Sequence, residues 1–395
     1  MGRRASTVNL FTGDDVASKP TALDFFSGSG LVTEGLRPYF NVIFANDNCP
    51  KKNEVYAANF GEDHLCPASI TGIRGKDLPR ADLTWASFPC QDLSLAGNMD
   101  GLFNGKRSSL FWEWIRVLKG MPIQPPVLCI ENVVGFLVAD KGEQFKQAYD
   151  VLRKLGYVAG AMILDAIDFV PQSRPRSFVV AVKDWVPIPS ALRRKEAGKD
   201  YHPKAVQTAF KAANDSAWIW WDMPVLPRRK QDLLDICDLT APVNSAAETK
   251  RLLGMLSAAN KVKLEQARSQ RKMVIGTGYK RIRPVSGVRT QRLEIRFDVA
   301  GCLRTPNGGS SRQILIIVDD GKVTTRLLTV RETARLMGVR ENFKIPGSYN
   351  DGYRATGDAV AVPVTRWLAK HLLYPLANAT REQLVEKFER ATANA

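Results

Sequence analysis

The sequence predicts a doubly wound α/β fold followed by a second region of mixed structure, and three observations carry that expectation. Between residues 20 and 185, short apolar runs alternate with amphipathic segments, the rhythm of parallel strands joined by crossover helices. That rhythm stops near Trp185. Pro187, Pro189, Pro203, Pro224, Pro227 and Pro242 then punctuate a stretch that also holds Trp218, Trp220 and Trp221, so long loops and poor periodicity are expected there. The charge is also lopsided: 56 Lys and Arg against 40 Asp and Glu give +16, and the segment from Lys183 to Arg296 carries 23 basic and 11 acidic residues, or +12 of it. A chain of 395 residues with 45% hydrophobic side chains can bury a sizeable core, which excludes disorder as its default state. The basic excess points to a polyanionic partner, with nucleic acid ahead of an acidic membrane surface.

Taken in order, residues 1–19 are polar and expected to fray. Ala22-Leu23-Asp24-Phe25-Phe26 is a short apolar run that leads into Ser27-Gly28-Ser29-Gly30 and then a helix-like stretch. Further strands are expected at Asn41–Ala45, Ala81–Ala86, Pro126–Ile130, Ala161–Ala166 and Ser177–Lys183, with helices near 50–60, 109–119 and 143–155 between them. Order returns at Gln313–Val318, an apolar strand. Thr329-Val330-Arg331-Glu332 is a capping box opening a helix over Arg331–Met337. Gly357 through Pro363 to Leu376 predicts a strand or loop followed by a helix.

Cys49, Cys66, Cys90, Cys129, Cys237 and Cys302 are far apart with no CxxC pair, and the three histidines are dispersed, so no metal site is expected. No stretch approaches 18 apolar residues, and the N-terminus starts charged and polar, without a hydrophobic signal core. A cytoplasmic protein with reduced thiols follows as the expectation.

Gly28 and Gly30, following a strand, let the backbone turn tightly and approach a ligand at the nucleotide-binding corner of an α/β sheet. The third glycine of a dinucleotide fingerprint is absent, since Thr33 stands there. Asp47 ends the next strand-like run, about 20 residues downstream, where an acidic side chain reaches the two hydroxyls of a ribose. A ribose site without a phosphate cradle fits S-adenosylmethionine.

Ser87-Phe88-Pro89-Cys90-Gln91 places Cys90 on a loop at the carboxyl edge of the sheet, with Pro89 fixing the backbone ahead of the thiol. Glu131-Asn132-Val133 leaves the same edge. Gln172-Ser173-Arg174-Pro175-Arg176 precedes a further strand, and an extended approach would put both guanidinium groups on one face. Each feature has a bland counterpart: a cysteine filling a core, a carboxylate capping a helix, a solvated basic run.

Together and in this order, these residues closely resemble the DNA cytosine C5 methyltransferases, over almost the whole chain except the middle. Asp24 through Gly30 is similar to the family's first cofactor motif, Phe88-Pro89-Cys90-Gln91 to its nucleophile motif and Glu131-Asn132-Val133 to its ENV motif. Gln172 through Arg176 is similar to its QxRxR, Arg326 through Glu332 to the stretch closing the target-recognition domain, and Gly357-Asp358-Ala359-Val360 to the last motif.

The resemblance implies a Rossmann-like, doubly wound methyltransferase domain with a smaller mixed target-recognition domain inserted near the C-terminal end. The implied division is a tail at 1–19, a catalytic domain at 20–185, a target-recognition domain at 186–354 and a returning segment at 355–395. It also implies that Cys90 is the nucleophile, that Glu131 holds the base edge, and that Arg174 and Arg176 donate to the ring carbonyl and a nearby phosphate. The cofactor residues are expected to be Phe26, Ser27, Gly28, Gly30, Leu31, Asp47, Asn48, Ser69, Ile70, Leu110, Asp358 and Ala359. Three of these depart from the family pattern: Asn48 for a bulky side chain, Ser69 for an acidic one and Asp358 for Asn.

The loop from Asp92 to Arg107 is expected to act as a lid over a flipped base, and Gln91 and Ser94 to touch DNA. In the basic middle region, Lys280, Arg281, Arg283, Arg289 and Arg292 are the expected DNA contacts, with Asn307–Ser311 a turn able to approach the duplex. The implied partner is double-stranded DNA, recognised by a monomer alongside a cognate restriction endonuclease, in the cytoplasm at the nucleoid. Two alternatives share most of these features: an RNA cytosine methyltransferase, and a DNA-binding relative without activity. The second is opposed by the presence of Cys90, Glu131 and both arginines. An amino-methyltransferase is disfavoured by the lack of an Asp/Asn-Pro-Pro-Tyr run.

Overall fold

The computed structural model describes residues 18–89, 109–285, 288–305 and 312–393. Seven strands form the central sheet: β1 (Thr21–Phe25), β2 (Asn41–Asn46), β3 (Leu65–Cys66), β4 (Leu83–Ala86), β5 (Val127–Asn132), β6 (Tyr157–Asp165) and β7 (Pro175–Lys183). Their order is β3-β2-β1-β4-β5-β7-β6. The first five strands run parallel, and β7 enters antiparallel between β5 and β6. The winding direction reverses between β1 and β4, which opens a crevice at the carboxyl ends of those strands.

Burial explains why these runs are strands. Every residue of β4 and β5 is buried, as expected for parallel strands covered on both faces. Side chains alternate between two layers: Ala22, Leu83, Trp85, Val127 and Cys129 enter one core, and Leu23, Phe25, Ala86, Leu128 and Ile130 enter the other. β6 starts at Tyr157, ahead of the expected Ala161, because it pairs along its whole length with β7, Tyr157 opposite Lys183 and Gly160 opposite Val180.

The tryptophan-rich stretch beyond Trp185 packs back on this sheet. β8 (Arg193–Arg194) and β9 (Trp220–Trp221) form a short pair. Trp218 and Trp220 join the same core as Phe145 and Tyr149, and Trp221 Nε1 donates to Gly160 O and Val180 O at 3.2 Å. A side chain at Gly160 would lie 1.8 Å from Ile219 O, so only glycine admits this approach.

A separate antiparallel sheet comprises β10 (Val274–Val285), β11 (Val288–Arg296), β12 (Ile314–Asp319) and β13 (Lys322–Leu327), in the order β11-β10-β12-β13. It packs on the helices Ala246–Gly254 and Ala258–Ser269 through Leu252, Leu264, Leu293, Ile316 and Val318. The expected capping box forms: Glu332 N donates to Thr329 Oγ1 at 3.2 Å, Thr329 N donates to Glu332 Oε2 at 2.7 Å, and the helix spans Val330–Leu336. Near the C-terminus the helix Tyr349–Gly357 stops at Gly357, and the helix Val362–Leu368 follows with Pro363 in its first turn. That second helix packs against the helix Leu31–Leu36 of the first α/β unit.

Candidate active site

The crevice between β1 and β4 is built on three left-handed residues. Phe26, Gly28 and Gly30 have φ of 59°, 54° and 83°, a cluster that a non-glycine such as Phe26 adopts only when its surroundings enforce it. The turn is held by Ser27 N donating to Asn46 O (2.9 Å) and Gly28 N donating to Asp47 Oδ2 (3.0 Å). Asp47 Oδ1 accepts from Cys49 N at 2.8 Å. Each carboxylate oxygen retains a second acceptor site. Gly30 admits no side chain, since a Cβ there would lie 2.5 Å from the Phe60 ring.

Three features around this turn suit a nucleoside-bearing cofactor. Ser27 Oγ is buried and has no hydrogen-bond partner among the described residues. Phe26 and Phe88 lie edge to face, with centroids 6.4 Å apart. Ile70 is buried on a tight turn capped by Ser69 Oγ, which accepts from Thr71 N at 3.4 Å. Arg116, a residue the sequence reading passed over, locks that turn by donating to Ile70 O and Ile73 O, both at 3.0 Å. Leu31 is buried at the start of its helix, Leu110 is half-buried on the helix Ser109–Gly120, and Asn48 is exposed. Beneath the turn, burial pushes the Asp24 carboxyl up to about 7, against the opposing hydrogen bond from Thr33 Oγ1 at 2.8 Å.

On the other side of the crevice, Glu131, next to last in the apolar β5, meets Arg176 Nε at 3.1 Å. The two guanidinium groups have different surroundings. Arg174 precedes β7 and is buried: Nη1 donates to Leu303 O at 2.8 Å and Nη2 to Gly357 O at 2.9 Å. Burial lowers its pKa first and the Arg176 charge second. Both arginines reach Cys302 Sγ, at 3.1 Å from Arg174 Nη1 and 4.0 Å from Arg176 Nη2. Asn132 Nδ2 donates to Phe88 O at 3.2 Å, which ties the turn leading to Cys90 onto β5.

The C-terminal return closes both halves of the site. Ser29 Oγ donates to Ala355 O at 2.6 Å, Gly357 O receives Arg174, and Asp358 pairs with Lys52 Nζ at 3.0 Å while also contacting the Thr305 hydroxyl. Ala359 is half-buried beside them. Asp358, which departs from the family pattern, therefore has a cation at hand. Asn132 and Gln172 sat inside motifs already singled out; Lys52 and Cys302 had no local sequence signal.

The basic residues of the middle region lie on a β-ribbon. β10 pairs with β12 only over Val274–Gly278, so Tyr279–Val285 and the start of β11 project as a two-stranded hairpin. Arg281 stands opposite Arg292, Lys280 opposite Leu293 and Pro284 opposite Arg289. Strand alternation assigns Arg281 and Arg292 to one face and Lys280 and Arg289 to the other. β11 then leads into a segment whose Ala300 bridges to Gln172, with Ser173 N donating to Ala300 O at 3.0 Å. Cys90, Gln91, Ser94, the loop Asp92–Arg107 and the turn Asn307–Ser311 lie outside the described residues, as does the side chain of Arg283.

Among the described residues no group of His, Cys, Asp and Glu is placed to hold a metal ion, and no helix is long and apolar enough to cross a membrane. A family model described as C-5 cytosine-specific DNA methylase matches residues 21–373. The type II methyltransferase M.DsaV of Dactylococcopsis salina is 28% identical over 357 residues, which cover 89% of this chain and 85% of that protein. The type II methyltransferase M.MspI of Moraxella sp. is 25% identical over 376 residues, 93% of this chain and 73% of its own length. Among solved structures, the crystal structure of the S. pombe Dnmt2 methyltransferase matches with a TM-score of 0.57 at 20% identity, over 90% of this chain and 98% of that one, a likeness of fold.

Proposed function

We propose a division of labour among the residues of this chain, which belongs to the C-5 cytosine-specific DNA methylase family and methylates cytosine at C5 in DNA. Cytosine C5 is too weak a nucleophile to take a methyl group directly. The Cys90 thiolate adds to C6, and the ring becomes an enamine whose C5 can attack. Glu131 holds N3 and the exocyclic amino edge of the base. Arg176, paired with Glu131, supplies a charge-assisted donor to the ring carbonyl or the adjoining phosphate, and Arg174, anchored behind it on Leu303 O, Gly357 O and Cys302, adds its charge from beneath. After the C5 proton is removed, Cys90 leaves. The carrying observation is the Glu131–Arg176 pair at 3.1 Å on the sheet edge from which the Phe88-Pro89 turn leads to Cys90.

S-adenosylmethionine supplies the electrophilic methyl group when bound. The left-handed turn Phe26–Gly30, the ribose partner Asp47 and the return at Asp358-Ala359 are the residues proposed to hold it, with Ser27 Oγ left free to donate to it. Duplex DNA hides C6 in the base stack, so the target is extruded at a cost of a few kcal/mol. The β10–β11 hairpin is proposed to lie against the duplex, since a two-stranded ribbon fits the major groove and its arginines neutralise phosphates. A monomer working in the cytoplasm beside a restriction endonuclease completes the proposal.

The test is transfer of a radiolabelled methyl group from S-adenosylmethionine to duplex DNA and to RNA, by the wild type and by Cys90→Ala. Transfer to duplex DNA that vanishes in Cys90→Ala is the expected result. Transfer that survives the substitution overturns the covalent route, and a preference for RNA overturns the duplex assignment.

A further inference from the structure

We propose that Cys302 is a positioning residue whose sulfur is the anionic post between the two active-site guanidinium groups, 3.1 Å from Arg174 Nη1 and 4.0 Å from Arg176 Nη2. The proposal rests on the reading of Arg174 and Arg176 given above. A buried guanidinium needs a counter-charge or full hydrogen bonding. Arg174 is 2% exposed, its other acceptors are the neutral carbonyls of Leu303 and Gly357, and its Nε has no partner among the described residues. The nearby carboxylate, Glu131, is taken by Arg176. Cys302, a free cysteine, fills the remaining position.

The charged and titratable groups around Cys302 come from several packed elements. Arg174 and Arg176 belong to β7 and its approach, Arg304 follows two residues on, Glu131 comes from β5, Asp358 from the return segment and Tyr353 from the helix Tyr349–Gly357. Burial pushes the thiol up, but Arg174, Arg176 and Arg304 outweigh it and hold the group below its ordinary value. A protonated thiol would instead donate to Leu303 O at 3.3 Å, competing for the carbonyl that Arg174 uses. Cys302 also lies on the segment that follows the β10–β11 hairpin. It thereby joins the DNA-facing ribbon to the arginine pair.

The sign of the pH effect follows from the lowered value. The anion is present above the folded-state pKa and is lost as pH falls through it, so the contribution of Cys302 disappears on the acid side. Two measurements test the proposal in the full-length protein. In the first, alkylation of Cys302 by iodoacetamide is followed against pH in the Cys90→Ser variant, by mass spectrometry of its peptide. The midpoint should fall below the ordinary thiol value of about 8.5 and rise in Arg176→Gln.

In the second, methylation is followed against pH. Cys302→Ala should lower kcat roughly tenfold to a hundredfold, the scale of a misplacement of about an ångström. Its acid limb should flatten, and its KM for S-adenosylmethionine should stay at the wild-type value. Cys302→Asp, which restores an anion, should recover part of the loss. A midpoint at or above the ordinary thiol value overturns the proposal, as does a Cys302→Ala profile that superimposes on the wild type. If the thiol proves too buried to alkylate, the rate profile decides. Failure of the nucleophile assignment would instead appear as transfer surviving Cys90→Ala, whatever Cys302 does.

Discussion

Two basic regions use their arginines in opposite ways. At the sheet edge, Arg174 is 2% exposed and spends its donors on Leu303 O, Gly357 O and Cys302, while Arg176 is held by Glu131. On the β10–β11 ribbon, Arg281 and Arg289 are exposed on the part of the hairpin that extends past the Val274–Gly278 pairing with β12. The first arrangement preorganises charge in a desolvated pocket, where a donor acts strongly on a base. The second leaves charge exposed to solvent, where any contact with a polyanion is screened by salt. The comparison teaches that the net charge of +16 is not one property. On the proposed reading, a few wired charges serve the chemistry and the exposed ones supply affinity for DNA.

Substitutions at the two regions should therefore separate cleanly. The largest effect is expected for Glu131→Gln, which keeps the shape but loses the acid–base group and its hold on Arg176: methylation should fall about 10²- to 10⁴-fold while DNA affinity in a filter or gel-shift assay changes little. A parallel loss of affinity would break the distinction. Next, Arg174→Ala should destabilise the protein in urea titrations by about 1–3 kcal/mol for each buried carbonyl left unpaired, whereas Arg281→Ala should leave stability unchanged. Arg281→Ala should weaken DNA binding across sequences and reduce the slope of log affinity against log salt by roughly one. If it instead relaxes preference at a single base pair, the ribbon reads bases and the comparison sharpens.

The smallest effect concerns Asp24. Its carboxyl is raised to about 7 by burial, so the stability it contributes is full below its unfolded value and is lost as pH rises through the folded one. Asp24→Asn should flatten the pH dependence of stability between about pH 4 and 7, read as thermal midpoints. An unchanged slope would mean that Asp24 is solvated.

Much of the sheet edge was legible in the sequence because its residues sit next to local signals. Glu131 lies at the end of an apolar run, Gly28 and Gly30 follow another, and Thr329 announces its helix by a capping box that the structure reproduces. Contacts across long sequence separations were not legible. Cys302 meets Arg174 from 128 residues away, and Ser29 meets Ala355 from 326. No periodicity or turn chemistry near either residue encodes its partner. The tryptophan cluster shows the same limit: proline-rich irregularity at 186–227 reads as loop, yet Trp218, Trp220 and Trp221 are held in the sheet's core by Gly160 and by contacts with Phe145 and Tyr149. Tertiary packing decided what local propensity left open.

The central claim is that Cys90 carries the cytosine through a covalent adduct at the edge organised by Glu131 and Arg176. The most direct measurement is to incubate the protein and S-adenosylmethionine with duplex DNA bearing 5-fluorocytosine at its methylation site, then digest and map the adduct by mass spectrometry. Fluorine cannot leave as a proton does, so the predicted result is a stable conjugate on the peptide that contains Cys90. Turnover without any conjugate at a site that is otherwise methylated, or a conjugate on another residue, would contradict it.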